Sequence, residues 1–333
     1  MKLPPFEYLA PRTTLEALEM MSRYRGKVRI VAGGADVMNL LRQRLHTPSY
    51  VMSLKGVADL TGIKRRKGAL VIAAGTTLRD IEGAPVMRRP FAAIAQSAGL
   101  VAAPPIRNIA TIGGNLLQDT RCLFYNQSEL VREAAPPCLK RGGRVCAAVK
   151  GSKRCFSVYQ GDMAPSLIAF EAVAVLKKAG GSRTVPVEAL FSGRGTRPFS
   201  LGDDEILTHI IIPIPKGDSG SSYQKLRLRT GLEYPLISCA VFVGVSKKGV
   251  IDRARIVIGA AGPSPIVDEK AAASLIGRRP EDADIEGAAD HALRIVRHVD
   301  NLALAGQYRK KMAKVLTKRA IEAALAALQK AGA

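Results

Sequence analysis

Val28-Arg29-Ile30-Val31-Ala32-Gly33-Gly34-Ala35-Asp36-Val37-Met38-Asn39-Leu40-Leu41-Arg42 is the stretch that decides the fold. Its first residues are β-branched and apolar and read as a strand. Gly33-Gly34 breaks that strand, and Asp36 to Arg42 then reads as a helix. A bare backbone at such a turn lets a phosphate approach closely, and free N–H groups at the helix start favour its negative charge. Thr111-Ile112-Gly113-Gly114-Asn115 ends a short apolar stretch in a second tight glycine turn. It offers a second set of N–H donors, with side-chain bonds from Thr111 and Asn115. Neither turn is a Rossmann fingerprint or a P-loop. A plain loop accounts for either one alone, whereas two in one chain suit a pyrophosphate lying between two subdomains.

The surrounding sequence alternates helix and strand signals. Thr13 and Glu16 form a capping-box start for a helix running to Tyr24. Strands are expected at Tyr50 to Leu54 and Ala69 to Ala74, and a helix after Gly75-Thr76-Thr77. From Pro104 the pattern turns irregular, and residues 121 to 160 show neither the helical nor the strand period. Strands resume at Ile168 to Leu176 and Ile206 to Ile212. Pro213 to Ser222 holds two Pro, two Gly and three Ser and reads as a linker, placing a domain boundary near 217–221. Beyond it come a strand from Tyr223 to Leu228 and an antiparallel pair, Leu236 to Val245 with Val250 to Gly259. Two helices follow, Asp284 to Val299 and Gly306 to Leu328. The second is expected to pack through Tyr308, Met312, Val315, Leu316, Ala320, Ala323 and Ala324.

The chain has 333 residues, 47% of them hydrophobic, enough for two folded domains and too apolar for a disordered chain. No apolar run approaches the ~18 residues of a membrane span, and Met1 to Glu7 lacks a signal-peptide core. A soluble, cytoplasmic protein without membrane contact is therefore expected. The net charge is +22, which points to acidic partners. A nucleic-acid partner is not expected: aromatics are only 5% and no basic groove motif is present. The four histidines are scattered, with no His–carboxylate dyad and no activated nucleophile, so no catalytic residue is assigned to this chain.

The two glycine turns resemble, as an ordered pair, the FAD motifs of the flavoprotein subunits of molybdenum hydroxylases, which include xanthine dehydrogenases and aerobic carbon monoxide dehydrogenases. Pro104 to Asn108, Gly161-Asp162-Met163-Ala164-Pro165, Ile206-Leu207 and Tyr223-Gln224-Lys225 follow the same order, so the resemblance covers nearly the whole chain. It implies an α+β fold: a two-part FAD-binding domain of the vanillyl-alcohol-oxidase type over residues 1–217, then a smaller α+β domain over 221–328. It also implies that Arg29, Ile30, Val31, Ala32, Gly33, Gly34, Ala35 and Asp36, with Thr111, Ile112, Gly113, Gly114 and Asn115, cradle the FAD pyrophosphate. Asp162 would bond the sugar or ribityl region. Leu207, Lys225 and Val101 match positions near the isoalloxazine ring. Two positions depart from the family: Ala35 replaces a common Thr, and Val101 replaces a frequent aromatic.

Asn115 and Asp162 are 47 positions apart, farther than the family usually has them. Cys122, Cys138, Cys146 and Cys155 all fall in that insertion, about residues 118–160. Their spacing lacks the C-x-x-C pairs of zinc ribbons and common ferredoxins, so spacing alone leaves metal binding and free thiols both open. The insertion has few large apolar residues to order it, lies beside a flavin on the reading above, and carries eight basic residues against two acidic ones between 121 and 155. Within the family it resembles the 4-hydroxybenzoyl-CoA reductase type, in which such an insertion holds one [4Fe-4S] cluster. That resemblance implies a large molybdenum-cofactor subunit, a small [2Fe-2S] subunit, reduced ferredoxin as electron donor and a dimer of heterotrimers. Lys140, Arg141, Arg144 and Lys150 are the expected docking residues for an acidic ferredoxin; the alternative is that these charges only compensate the cluster's thiolates. Cys239 lies apart in an apolar run and is expected to be inert.

Overall fold

A computed structural model describes residues 2–329. The first layer is a small parallel sheet. It contains β1 (Glu7–Leu9), α1 (Thr14–Arg23), β2 (Val28–Val31), α2 (Val37–Arg42) and β3 (Tyr50–Ser53), with strand order β1-β3-β2. Thr13 Oγ1 accepts from the Glu16 amide at 3.1 Å and caps α1, while the Glu16 carboxylate reaches back to the Arg12 amide at 2.7 Å. These two bonds satisfy amides that the first turn of a helix otherwise leaves bare.

The second layer holds β4 (Ile63–Arg66), β5 (Ala69–Ala73), α3 (Leu78–Gly83), α4 (Ala92–Gly99), α5 (Pro104–Arg107), α6 (Ile112–Leu116), α7 (Glu129–Glu133), α8 (Met163–Ala169), β6 (Val173–Lys178), β7 (Gly181–Pro186) and β8 (Ile206–Pro213). Its five strands pair antiparallel in the order β4-β5-β8-β6-β7. The expected strand from Ile168 to Leu176 is not formed as such: α8 runs to Ala169 and the strand begins only at Val173. All seven residues of α8 are buried. A helix buried all round shows no stripe, so its apolar run cannot be told from a core strand by period.

The third layer is β9 (Asp218–Leu226), β10 (Ile237–Val245), β11 (Ile251–Gly259), β12 (Ile266–Val267), α9 (Glu269–Leu275), α10 (Ile285–Ile295) and α11 (Gly306–Gln329). The sheet order is β12-β11-β10-β9, antiparallel throughout. The linker reading of Pro213 to Ser222 fails over its second half. Residues 218–222 are strand, and Ser219, Gly220, Ser221 and Ser222 are buried. A side chain on Gly220 would collide with the Ala324 carbonyl of α11. The small residues are there to let a helix lie close on the strand, not to give a flexible tether. On α11 itself Tyr308 faces solvent, and Ala313, Leu316, Thr317, Ala320 and Ala324 are buried. The second layer's core continues across the junction to include Tyr223, Ala240, Phe242 and Val257.

Candidate functional site

The first glycine turn joins the edge strand β2 to α2. No residue of β2 is fully buried, although three of its four are apolar. Gly34 has φ +75°, the left-handed region that glycine enters without strain. A side chain on Gly33 would fall on the Ile109 carbonyl oxygen. This turn therefore abuts the chain just ahead of the second one. Among the described residues, the amides of Gly33 to Asp36 meet no protein acceptor. The arrangement is a half-open apolar strand leading to a row of unpartnered N–H groups.

The second turn is built differently. Thr111 caps α6, accepting from the Gly114 amide at 3.1 Å. The amides of Ile112, Gly113 and Asn115 donate to Thr76 O at 3.0 Å, Ala74 O at 2.8 Å and Thr111 O at 2.9 Å. Asn115 Oδ1 accepts from the Met163 amide at 3.0 Å. All four amides after Thr111 are thus engaged within the protein. Gly114 is exposed, and a Cβ there would meet only Thr111 Oγ1, at 3.1 Å. The turn presents bare surface and the Thr111 hydroxyl hydrogen.

Asp162 and Lys225 are spent on each other. Their side chains are 3% and 1% exposed and 3.0 Å apart. The Asp162 carboxylate also accepts from Tyr223 at 2.7 Å, and Lys225 donates to Leu100 O at 2.9 Å and Glu233 O at 3.0 Å. Burial pushes the Asp162 carboxyl up, against the pull of the Lys225 charge and the Tyr223 hydrogen bond. Val101 and Leu207 lie in the buried core of the second layer. Val101 accepts from Arg107 at its carbonyl, 3.1 Å.

The four cysteines of the insertion open into one small cavity, together with Tyr125, Lys140 and Ser157. All are free thiols, and among the described residues no three His, Cys, Asp or Glu side chains meet at single-ion distance. Burial pushes the Cys122 thiol up to about 11, and the other three cysteines add to the shift through their charge. Cys239 lies elsewhere, buried in the third layer, accepting from Thr317 at 3.5 Å and pushed by burial to about 12. A wider concavity beside the β6–β7 hairpin and the Arg183–Glu205 pair contains none of these residues.

Two charged links join the cavity to the first turn. Arg121, next to Cys122, pairs with Asp36, donates to the Tyr234 hydroxyl at 2.5 Å and stacks 3.9 Å from the Tyr234 ring centre. Asp119 accepts from Lys140 at 2.8 Å and faces His46 at 3.4 Å, while its amide meets Asp36 at 3.4 Å. A third link runs to the last layer: Leu123 N donates to Asn301 O at 3.0 Å, and Asn301 Nδ2 donates to Phe156 O at 2.5 Å. One asparagine thereby holds the flanks of both Cys122 and Cys155. Arg309 fixes that asparagine's loop through Val299 O, 2.5 Å, and Leu304 O, 3.3 Å.

The pattern of the family described as the FAD binding domain in molybdopterin dehydrogenase matches residues 4–215, and that of the CO dehydrogenase flavoprotein C-terminal domain matches 221–324. The chain belongs to the FAD-binding molybdopterin dehydrogenase family. The carbon monoxide dehydrogenase medium chain of Hydrogenophaga pseudoflava is 26% identical over 97% of this chain and 98% of its own length. The nicotinate dehydrogenase FAD-subunit of Eubacterium barkeri is 28% identical over 82% and 80%. The solved carbon monoxide dehydrogenase of H. pseudoflava superposes with a TM-score of 0.80 at 26% identity, covering 98% of this chain and all of that one. The fold is thus the mixed α/β fold of these flavoproteins, an FAD-binding domain followed by the flavoprotein C-terminal domain.

For a family flavoprotein, the open amides and half-exposed strand of the first turn fit a phosphate-bearing cofactor. Gln118 Nε2 and Arg121 Nε, which follow the second turn in sequence, are both buried without a partner. Sequence reasoning missed Asp119, Tyr234 and Asn301, whose contacts with His46, Arg121 and Phe156 lie 73, 113 and 145 positions away, where no spacing reveals them. It also placed Lys140 on a docking surface. The Lys140 side chain is only 6% exposed and the residue lines the cavity, whereas Arg144 and Lys150 are exposed.

Proposed function

We propose that this chain is the electron-relay subunit of a molybdenum enzyme. It binds FAD noncovalently at the two glycine turns and one [4Fe-4S] cluster through Cys122, Cys138, Cys146 and Cys155. Its FAD-binding unit spans residues 1–217 and its C-terminal unit 221–328. The observation that carries the reading is the convergence of four free thiols, drawn from a poorly regular insertion, on one cavity. They do not close on a single-ion site. A [4Fe-4S] cluster takes four cysteine ligands, the number that lines this cavity. Bound FAD and cluster would supply one-electron transfer, while the protein positions them and sets the electrostatics around them. The reaction served is the reductive dehydroxylation of 4-hydroxybenzoyl-CoA to benzoyl-CoA. Reduced ferredoxin is the donor, and the partners are a large molybdenum-cofactor subunit and a small [2Fe-2S] subunit in a cytoplasmic dimer of heterotrimers. Ring chemistry belongs to the large subunit.

A second reading is the FAD subunit of an oxidising molybdenum hydroxylase. The names of the matched relatives, carbon monoxide and nicotinate dehydrogenases, favour it over the reductase. Iron and sulfide analysis of the anaerobically purified complex separates the two: about four irons beyond those of the partner subunits support the cluster, and none removes it. Reoxidation of the reduced complex by 4-hydroxybenzoyl-CoA supports the reductase. Reduction of the oxidised complex by carbon monoxide, nicotinate or xanthine, without that reoxidation, overturns it. Any Cys→Ser change in the set of four lowers the cluster signal, and Cys239→Ser leaves iron unchanged. Acid precipitation leaves the FAD in the supernatant.

A further inference from the structure

Of the residues that line the four-thiol cavity, Lys140 alone is a basic or acidic one. The Lys140 side chain is 6% exposed. Its ammonium donates to Asp119 Oδ1 at 2.8 Å, Thr120 Oγ1 at 3.0 Å and Thr120 O at 3.2 Å, and lies 4.5 Å from the Tyr125 ring centre. An ammonium has three protons, and here all three have oxygen partners, so the charge is held in place. Arg144, Lys150, Lys153 and Arg154 of the same insertion are exposed, where water and salt screen them. Asp119, which faces Lys140, is not part of the cavity wall. Its other oxygen faces His46, and its amide faces Asp36 on the first glycine turn. Lys140 thus lines the cavity, and its ammonium pairs with a carboxylate that does not.

We propose that Lys140 is the charge that sets the reduction potential of the redox group held by the four thiols, a role that rests on the four-thiolate reading above. Adding an electron makes such a site more negative. A fixed cation in a poorly screened interior stabilises the reduced form more than the oxidised one. Lys140 therefore raises the potential, and the exposed basic residues of the insertion contribute little.

The test is a redox titration followed by EPR on the anaerobically purified complex, with iron and flavin counted in parallel. Lys140→Met is expected to keep FAD and to move the cluster's midpoint to a more negative potential, while Arg144→Gln leaves it at the wild-type value. Lys140→Met also strands the Asp119 carboxylate, and an unpaired buried charge can unfold a site. The double variant Lys140→Met/Asp119→Asn removes both charges and is expected to retain a smaller negative shift. Equal midpoints in wild type, single and double variants, with iron intact, overturn the role of Lys140 and leave the cluster standing. A shift in Arg144→Gln as large as that in Lys140→Met overturns the distinction between buried and exposed charge. An iron-free wild-type complex overturns the cluster reading, and Lys140's role with it.

Discussion

The two Gly-Gly turns read alike in the sequence and differ in the fold. At the first, the amides of Gly33 to Asp36 meet no acceptor among the described residues, and Gly33 is glycine because the Ile109 carbonyl leaves no room for a side chain. At the second, the amides of Ile112 to Asn115 are already used, and Gly114 is exposed with open space beyond Thr111. The first turn offers donors to an anion, and the second offers a flat approach. A glycine pair can thus record a contact within the protein or a clearance kept for a ligand, and only the neighbours of the missing Cβ tell which.

Four measurements break or sharpen that contrast. Gly33→Ala should be the most damaging, because its methyl meets backbone that cannot swing away. Overpacking typically costs ~1–3 kcal/mol, and the loss here should lie at the upper end, with flavin absorbance lost as well; thermal unfolding and the flavin spectrum report both. Gly114→Val should cost less stability than Gly33→Ala yet lose flavin, since its Cβ meets only the Thr111 hydroxyl, at 3.1 Å, on an otherwise exposed residue. A folded Gly114→Val protein that keeps all its FAD would falsify the assignment of the second turn. Thr111→Ala removes a helix cap and should cost about 1 kcal/mol, with the Gly114 amide released; an unchanged unfolding midpoint would show that the cap contributes nothing.

The smallest effect concerns pH and the first turn's neighbour, Asp119. Burial alone would raise its pKa, but hydrogen bonds and charge from His46 and Lys140 outweigh it and hold the carboxyl well below its usual range. A depressed folded pKa gives stability that is present above the unfolded value and lost as pH falls. The deficit of Asp119→Asn relative to wild type should therefore be constant from pH 7 to about 4 and shrink below that. A deficit that disappears between pH 7 and 5 contradicts it.

Much of the fold was legible because it rests on local signals. Thr13 and Glu16 marked the start of α1, and two apolar runs separated by a short turn, 236–245 and 250–259, marked the pairing of β10 and β11. Failures came where burial removed the contrast that patterns depend on. The helix at Met163–Ala169 is buried on every side, and the small residues at 219–222 serve close packing by α11. The site was half legible. Four cysteines in one insertion pointed to a common ligand set, and they share a cavity. The direction of Lys140 was invisible, since a lysine in a basic loop looks the same whether it faces solvent or a cavity.

The asparagine that spans the insertion has a consequence in time. Residues 122 to 156 leave the ribosome long before Asn301 does, and Arg309 follows later still. The bonds from Asn301 to Leu123 and Phe156 can form only once the C-terminal half has been synthesised. Until then the two ends are joined by the Arg121–Val158 bridge and the Thr120–Ser157 hydroxyl pair, while Leu123 and Phe156, beside the first and last cysteines, lack their common partner. The last fastening of the loop thereby comes from the C-terminal layer: a chain ending before Asn301 keeps the bridge at the base of the loop and lacks the clasp beside Cys122 and Cys155.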